Sequence, residues 1–399
     1  MIKKRKHTPA GMNNKINIGF VGNIPDPVGG AEIFLDKLIS HLGAYPTKTV
    51  LARWLKQSID LGGNTKLYFE YKKKESINFD KKRGLKIYYL FTQRERSEIL
   101  SLLSVLWQSI KLTRFFFREK VDIIHCHLLV PNIYFGLIAS SILKVPFLVT
   151  IHGMVDLIQP GYIFSNRRIK ELEFNLLTRL LRRCDGVIGV SDEIVEYCRE
   201  RGIEKISKIS AGIDTDFFKP NMTQERGILF IGNLNHRKGF DLLLEAYRKI
   251  REETEEPLYL VGKNPDMLDC KEKNVFYLGL LGPDKLLRVI QKSKLVVLPS
   301  RTEGLPLSIL EAMSCNKPVL VSPVGELVSV INDSENGFFL KEYSAKNLGR
   351  QILYIINNYS NLKAVIGDNP RKSVLKYDIR RIAEMHWGLY QELTSSNSH

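Results

Sequence analysis

Short runs of apolar, often β-branched residues alternate along the chain with stretches of helical periodicity. In the first half these runs are INIGFVG (16–22), VDIIHCH (121–127), PFLVTIHG (146–153) and GVIGVS (186–191). In the second half they are GILFIGNL, PLYLVGK, NVFYLGL, KLVVLPS and KPVLVSP. Strands that alternate with helices predict parallel sheets covered by helices on both faces. We therefore predict an α/β protein.

The two series of strands predict two doubly wound domains, and the 399 residues are enough for both. A polar stretch near residues 215–226 separates the series. We place the domains at 16–218 and 219–375, after a basic extension at 1–15. The segment 376–395 is predicted to be a helix with one apolar face. That face would contain Ile379, Ile382, Met385 and Leu389.

Charge separates the two halves. Residues 1–215 contain 34 Lys and Arg against 21 Asp and Glu, whereas the remainder contains 25 against 22. The basic half suggests an anionic partner, which could be membrane lipid, a polyanionic acceptor or nucleic acid. A basic surface that only aids solubility is the alternative. The basic segment 71–86, expected as a loop or short hairpin, matches no nucleic-acid-binding motif, so no specific nucleic-acid partner is predicted.

Cysteine spacing and hydropathy favour a reducing, cytosolic setting. The five cysteines form no C-x-x-C pair, and no apolar segment of signal-peptide type follows the basic N-terminus. The longest nearly uncharged run, 128–143, is short for a membrane span and is expected to be a buried strand–helix unit. The segments 97–120 and 166–185 are amphipathic and basic. Each could lie on an anionic membrane or simply cover the sheet.

The segment SRTEGLPLSILEAMSCNKPVL (300–320) contains two glutamates in a largely apolar context. Pro306 suits a first helical turn, which places Glu303 and Gly304 in the preceding loop and Glu311 inside the helix. Amides at that helix start could bind an anionic or hydroxyl-rich ligand. The structural alternatives are a dipole contact for Glu303 and a solvated stripe of Ser308, Glu311 and Ser314.

A second candidate site is GNLNHRKGFDLLLEA (232–246), between a strand and a helix. Gly232 permits a tight turn, and Arg237 and Lys238 stand at the helix entrance. A diphosphate there would meet both cations and backbone amides. A solvated basic helix start is the alternative, but the helix dipole disfavours cations at that end.

Other candidates follow strands of the first half. Gly29 and Gly30 permit close backbone approach, although they do not form the glycine fingerprint of a nicotinamide site. His152 follows a strand at the sheet edge where ligands bind, and could donate to a hydroxyl or phosphate. A structural role is the alternative for His152, as it is for His125 and His127. Asp214, in a D-x-D pattern with Asp216, is interpreted as a turn or capping residue, and no metal is predicted.

In order, the motifs GG-A-E, T-x-H-G, G-V-S, A-G-I-D, G-N-L-x-x-R-K-G and P-S-R-x-E-G-L-P-L-S-I-L-E-A-M resemble the retaining glycosyltransferases of family 4. The resemblance covers roughly residues 16–392. It implies a GT-B fold, with two Rossmann-like doubly wound domains facing across a cleft. The N-terminal domain would bind the acceptor, the C-terminal domain would bind the nucleotide sugar, and the final helix would cross back. The turn SAG before IDTDF departs from the asparagine-glycine that is frequent there.

The resemblance also implies roles for the candidate residues. Arg237 and Lys238 would contact the donor diphosphate, and Glu311 would bind the ribose hydroxyls. Glu303, with the turn at Gly304, Leu305 and Pro306, would contact the donor sugar. His152 would lie beside the transferred sugar, Gly30 would let a loop approach the phosphates, and Gly232 belongs to the same donor site.

Function is predicted accordingly as transfer of a sugar to a glycan or lipid-linked acceptor of the cell envelope, with a UDP-sugar as the favoured donor and GDP-mannose as the alternative. The enzyme would need neither metal nor cofactor, and would act in the cytoplasm or at the cytosolic membrane face. The alternatives are a nucleotide-sugar epimerase of the same fold and a basic polyanion-binding protein.

Overall fold

The computed structural model describes residues 15–21, 30–56, 77–80, 85–92, 98–127, 132–154, 157, 175–221, 224–264 and 272–396. The chain divides into two compact units. Unit 1 comprises Met1–Ser210 and Ile382–His399, and unit 2 comprises Ala211–Arg381. The domain limits expected from the sequence remain a prediction.

Unit 1 is built on an eight-stranded sheet in the order β3-β4-β2-β1-β5-β6-β7-β8. Its strands are β1 (Ile16–Val21), β2 (Thr47–Lys56), β3 (Ile77–Asp80), β4 (Leu85–Thr92), β5 (Ile123–His127), β6 (Phe147–Ile151), β7 (Gly186–Gly189) and β8 (Ile206–Lys208). Its first helices are α1 (Gly30–Leu42), α2 (Glu98–Arg118), α3 (Asn132–Leu143) and α4 (Asp192–Glu200). Among the described strand pairs of this sheet, the β3–β4 pairing alone is antiparallel, and both strands overlap segment 71–86, for which a loop or short hairpin was considered.

Unit 2 is built on a six-stranded parallel sheet in the order β11-β10-β9-β12-β13-β14. Its strands are β9 (Ile228–Ile231), β10 (Leu258–Val261), β11 (Val275–Gly279), β12 (Leu295–Leu298), β13 (Val319–Val321) and β14 (Phe338–Phe339). Its helices are α5 (Phe240–Ile250), α6 (Pro283–Lys292), α7 (Leu307–Ser314), α8 (Leu327–Val330), α9 (Ala345–Asn357), α10 (Tyr359–Ile366) and α11 (Asn369–Val374). The α/β prediction is confirmed for both units.

Each sheet has a switch point where the chain leaves one side and builds the other. In unit 1 it lies between β1 and β5, and in unit 2 between β9 and β12. Ligands of doubly wound proteins bind beyond the carboxyl ends of the strands at such points. The candidate donor-site residues of unit 2 come from the loops after β9 and β12, except Glu311, which lies in helix α7.

The C-terminal helix α12 (Ile379–Ser396) was predicted, but of the apolar face expected for it only Ile379 and Ile382 are buried. Met385 is exposed and Leu389 is only half-buried. The residues that α12 buries are Ile379, Ile382, Ala383, His386, Trp387 and Tyr390. Burial of the large aromatic side chains of Trp387 and Tyr390 determines which face of α12 is buried, and that face differs from the one that the aliphatic residues predicted.

Segments 128–143 and 166–185, which were considered for membrane contact, are partly described by the structure. The uncharged run 128–143 contains α3, which packs on β5 and β6, and residues 128–131 lie outside the described residues. In segment 166–185, residues 175–181 are helical and the part before residue 175 is not described. Among the helices of the described ranges, none combines the length and apolar character needed to cross a bilayer.

Candidate active site

The loop after β9 carries Gly232, Arg237 and Lys238. Gly232 extends the sheet by one residue, because its amide donates to strand β10 at 2.9 Å. The side chain of Asn235 caps a following 3-10 turn by accepting the amide of Lys238 at 3.0 Å. The cap places the Arg237 and Lys238 side chains beside the carboxyl ends of the central strands.

Gly239 ends this turn in a left-handed conformation, with φ of 69°. A Cβ at this position would lie 1.8 Å from the carbonyl oxygen of Pro299, in the loop after β12. The same two loops are joined where the amide of Arg301 donates to the carbonyl of Arg237 at 2.9 Å. Only glycine permits this approach, so Gly239 fixes one loop against the other.

The side chain of Glu303 joins the two loops into an ion cluster. One carboxylate oxygen accepts from Lys238 Nζ at 2.5 Å and from the Ser300 hydroxyl at 2.6 Å. The other lies 3.6 Å from the Arg237 guanidinium, which also donates to the carbonyl of Thr302 at 3.2 Å. Lys238 and Glu303 are largely buried, whereas Arg237 is half-exposed. Burial lowers the pKa of Lys238, and the Glu303 carboxylate opposes part of that shift.

A second ion pair supports the loop behind the cluster. The Arg301 guanidinium binds the Asp241 carboxylate through two hydrogen bonds of 2.8 Å and stacks near the Tyr343 ring. Burial opposes ionisation of Asp241, but the bonds from Arg301 prevail and lower the pKa of that carboxyl group. This pair was not predicted from the sequence, although Asp241 follows the R-K-G motif by two residues.

The backbone of Glu303 and Gly304 is held from the other side by Gly325. The carbonyl of Gly304 accepts the amide of Glu326 at 2.9 Å. A Cβ at Gly325 would lie 2.2 Å from the carbonyl of Glu303, and Gly325 has φ of 56°. This contact was not predicted, because residues 303 and 325 are far apart in sequence.

Helix α7 begins one residue later than expected, with Pro306 at the N-cap and no side-chain cap. Gly304 and Leu305 precede it as half-buried residues, close to helical amides that lack intrahelical acceptors. Glu311 and Ser314 are buried, and Ser308 is half-buried with its hydroxyl 3.3 Å from the carbonyl of Ile231. The solvated stripe considered for Glu311 is therefore wrong.

In unit 1, His152 follows β6 and contacts a second histidine. Its Nε2 lies 3.0 Å from Nδ1 of His127, and its ring meets the Phe34 ring edge-on at 5.9 Å. Phe34 belongs to α1, the helix that Gly30 begins. Gly29 lies outside the described residues. The structure thus brings His152 together with α1 and with β5, on both sides of the switch point.

His127 and His152 belong to a cluster of four imidazoles completed by His125 and His386, in which His152 is half-buried and the other three are buried. His125 bonds the Tyr390 hydroxyl at 2.7 Å through Nδ1 and the Thr150 hydroxyl at 2.8 Å through Nε2. The rings of His125 and His127 lie 4.3 Å apart, and those of His125 and His386 5.9 Å apart. The structural role considered for His125 and His127 is therefore present, and α12 contributes to it.

Burial lowers the pKa of every imidazole in this cluster. For His125, His127 and His152, the neighbouring imidazoles lower the pKa further. The pKa of His152 falls to about 3 and that of His386 to about 4. The pKa values of His125 and His127 lie well below the ordinary value. All four rings are therefore neutral at neutral pH.

The tautomer of His152 follows from its neighbour. Nε2 of His127 is buried with no hydrogen-bond partner among the described residues. Burying a ring nitrogen acceptor without a hydrogen-bond partner costs less free energy than burying an N–H donor without one. We therefore assign the hydrogen of the His127 ring to Nδ1. His127 then donates to Nε2 of His152, and His152 carries its own hydrogen on Nδ1. His152 is thereby a neutral hydrogen-bond donor.

Asp214 forms a turn, as predicted. Its carboxylate accepts the amides of Asp216 at 3.1 Å and Phe217 at 2.9 Å, and Asp216 pairs with Arg380. Across the described ranges, no group of three or more His, Cys, Asp or Glu side chains is arranged to hold a metal ion.

Two family models match the chain. "Glycosyltransferase Family 4" matches residues 72–217, and "Glycosyl transferases group 1" matches residues 212–373. Among relatives, an uncharacterised glycosyltransferase of Methanocaldococcus jannaschii is 27% identical over 69% of this chain and 77% of its own. The N,N'-diacetylbacillosaminyl-diphospho-undecaprenol alpha-1,3-N-acetylgalactosaminyltransferase of Campylobacter jejuni is 28% identical over 65% of this chain and 74% of its own.

Solved structures agree on the fold. Sucrose-phosphate synthase of Thermosynechococcus elongatus superposes with a TM-score of 0.73 at 18% identity, over 96% of this chain and 100% of its own. Anabaena HepE in complex with UDP and glucose has a TM-score of 0.72 at 19% identity, over 95% of this chain and 100% of its own. The two sheets and these likenesses define a protein of the GT-B fold class. Within that class, the chain belongs to glycosyltransferase family 4, a family of retaining, nucleotide-sugar-dependent enzymes.

Proposed function

We propose that this glycosyltransferase transfers a hexosyl group from a UDP-sugar to a glycan or lipid-linked acceptor of the cell envelope. The observation that carries the proposal is the cluster of Arg237, Lys238 and Glu303 at the switch point of unit 2. It combines two cations and a carboxylate with the start of helix α7. A diphosphate needs the cations, and sugar hydroxyls need the carboxylate.

The donor is assigned to these residues in order along its length. Arg237 and Lys238 bind the diphosphate, with Gly232 leaving room for it. Glu303 binds sugar hydroxyls, assisted by the backbone of the Gly304, Leu305 and Pro306 turn. Glu311 binds the ribose hydroxyls. In unit 1, Gly30 permits the approach of a loop to the phosphates, and the Nδ1–H of His152 donates to the transferred sugar.

The chemistry follows from the charges that develop. As the anomeric C–O bond breaks, negative charge grows on the leaving diphosphate and positive charge on the sugar. Arg237 and Lys238 stabilise the diphosphate through charges already in position, so no metal ion is needed in this proposal. The acceptor attacks from the leaving-group face, and a diphosphate oxygen takes its proton. Retention then requires no protein nucleophile, and Glu303 orients the sugar instead.

The choice of donor and acceptor rests on relatives. HepE has been crystallised with UDP, and separately with UDP-glucose, which supports uridine as the base. The Campylobacter jejuni relative is named for a diphospho-undecaprenol acceptor, and TuaC of Bacillus subtilis for putative teichuronic acid biosynthesis. Such acceptors support action in the cytoplasm at the inner face of the membrane.

The test is ligand-induced stabilisation by a panel of nucleotide sugars, followed by product analysis with and without acceptor. A donor at about 100 times its Kd should raise the free energy of unfolding by about 2.7 kcal/mol. Lys238→Ala should lose both this stabilisation and sugar transfer. Lys294→Ala is the matched control, because Lys294 and Glu256 form a similarly buried pair of 2.5 Å elsewhere in unit 2.

Donor-dependent stabilisation of Lys238→Ala equal to that of the parent would contradict the site assignment. Conversion of the donor in the absence of acceptor would instead identify an epimerase. Stabilisation by GDP-sugars alone would keep the reaction class but overturn the choice of uridine.

A further inference from the structure

Helix α2 buries three polar residues beside its apolar ones and exposes four large hydrophobic side chains. The residues buried between positions 106 and 118 include three polar ones, Gln108, Ser109 and Thr113. By contrast, four large hydrophobic side chains are exposed, with fractional exposures of 51% for Leu106, 56% for Trp107, 41% for Ile110 and 72% for Phe117. Covering the sheet explains the buried face, but it does not explain these four side chains.

The outward residues form one continuous surface, which we call the α2 outer face. Its members are Leu106, Trp107, Ile110, Lys111, Arg114, Phe117 and Arg118. At 100° per residue, Leu106, Ile110 and Phe117 align along one edge, and the three basic residues align beside Trp107 along the other. Isolated exposed hydrophobics are ordinary, but a contiguous set on one helix marks an interaction surface.

The charge of the α2 outer face has one sign. Residues 106–118 include no Asp or Glu. The next acidic residue, Glu119, is buried and pairs with Lys48 at 2.8 Å. The ammonium group of Lys111 lies 5.3 Å from the centre of the Trp107 ring, so the cation and the indole are adjacent on the surface. A partner must therefore provide both an apolar region that accepts these hydrophobic side chains and negative charge that pairs with the cations.

We infer that the α2 outer face docks on an anionic phospholipid bilayer, with the helix lying in the plane of the interface. Apolar residues on one edge enter the acyl boundary, basic residues on the other meet the headgroups, and tryptophan favours the level between them. A second copy of the chain fits poorly. A two-fold interface would set the three cations of one copy against the same three of the other, without a carboxylate from this face.

This inference does not depend on the proposed sugar transfer. The probe is sedimentation of the full chain with vesicles of phosphatidylglycerol and phosphatidylcholine, compared with vesicles of phosphatidylcholine alone. The parent should bind the anionic vesicles, and added salt should weaken that binding. Trp107→Gln with Phe117→Gln should lower the binding roughly tenfold or more. Arg114→Gln with Arg118→Gln should act similarly on anionic vesicles.

The matched control is Tyr354→Gln with Val365→Gln in unit 2. These residues are also helical, and their exposures of 59% and 74% match those of Trp107 and Phe117. The control should bind vesicles like the parent. Equal binding of the parent to both kinds of vesicle would overturn the inference, as would parental binding by the Trp107 and Phe117 variant. Conversion of a dimer to a monomer by that variant, without vesicle binding by the parent, would also overturn it.

Discussion

Mild acid should destabilise unit 1 and leave unit 2 nearly unchanged. The imidazoles of His125, His127, His152 and His386 are neutral and packed together in the folded protein, with pKa values of about 3 for His152 and about 4 for His386. Their described hydrogen-bond and ring partners are histidines, hydroxyl groups, a backbone carbonyl, phenylalanines and a tyrosine, so no carboxylate among them favours the protonated form. In the unfolded chain each imidazole titrates near about 6.5.

The magnitude follows from this difference. Because the folded pKa values are depressed, the unfolded state binds more protons below pH ~6.5, and stability falls as the pH falls. Between pH ~7.5 and ~5.5, one imidazole that stays neutral when folded lowers the free energy of unfolding by about 1.4 kcal/mol. Four such imidazoles lower it by roughly 5 to 6 kcal/mol, comparable with the total stability of a typical domain.

Unit 2 provides the internal comparison. The pKa values of Glu225, Asp241 and Asp378 are lowered by their ion pairs and hydrogen bonds, against the effect of burial. A carboxylate with a depressed pKa loses its contribution to stability only below the unfolded value, near about 4. The range from pH ~7.5 to ~5.5 should therefore affect the histidine cluster and not these carboxylates.

Tryptophan fluorescence during urea unfolding is the assay, because Trp54, Trp107 and Trp387 all belong to unit 1. Trp387 is buried and stacks on Tyr45 at 5.4 Å, so its signal should change when unit 1 unfolds. His386→Leu removes one titrating ring whose Nδ1 bonds only its own helix at 2.8 Å. The loss of stability over the same pH range should then shrink by about 1.4 kcal/mol. A flat profile for the parent, or an unchanged profile for His386→Leu, would refute the reasoning.

Three further predictions concern positioning. Gly239→Ala should destabilise unit 2 by about 2 kcal/mol or more in urea unfolding, because the added Cβ would meet the Pro299 carbonyl. The control Gly282→Ala has open space around the added Cβ and should change stability by well under half of that amount. Equal effects of the two substitutions would contradict the steric argument. His127→Leu should lower turnover without weakening stabilisation by the sugar donor, since it removes the hydrogen bond to His152 and no residue assigned to the nucleotide sugar; parental turnover would contradict the tautomer assignment. Arg301→Lys should raise KM for the donor, because lysine cannot bind Asp241 through two parallel bonds; an unchanged KM would show that the pair does not position Glu303.

Strands β1, β5, β6 and β7 and strands β9 to β13 could be predicted because buried parallel strands are continuous apolar runs that stand out from amphipathic helices, whereas β2, β8 and β14 were not predicted. The loops that carry Arg237, Lys238 and Glu303 could be predicted for the same reason, as each follows such a run. The resemblance to family 4 supplied the roles, which spacing alone left open. The α/β fold and family membership were confirmed, whereas the roles of individual residues remain predictions.

What could not be predicted depends on contacts between distant residues. His125 and His127 must share a face of their strand, but nothing local indicates that His152 and His386 complete the cluster. The periodicity of α2 shows two faces, and only the fold reveals that the face with Trp107, Phe117 and the basic residues is the exposed one. In α12, the aliphatic residues suggested one face, while the burial of Trp387 and Tyr390 selected another.

The helix dipole disfavours cations at a helix start, and pairing with the Glu303 carboxylate offsets this cost for Lys238. The same pairing has a consequence for donor binding. In the structure the carboxylate neutralises the cations that a diphosphate would need, so an incoming diphosphate competes with Glu303 for Lys238 and is repelled by it. Glu303→Gln keeps the shape but removes that negative charge. It should bind UDP severalfold more tightly than the parent in calorimetry, yet lose sugar transfer because the sugar is no longer oriented. Glu311→Gln is the contrasting variant and should weaken UDP binding, since it removes the carboxylate proposed for the ribose. Weaker UDP binding by Glu303→Gln would mean that the carboxylate positions Lys238 for the diphosphate rather than competing with it.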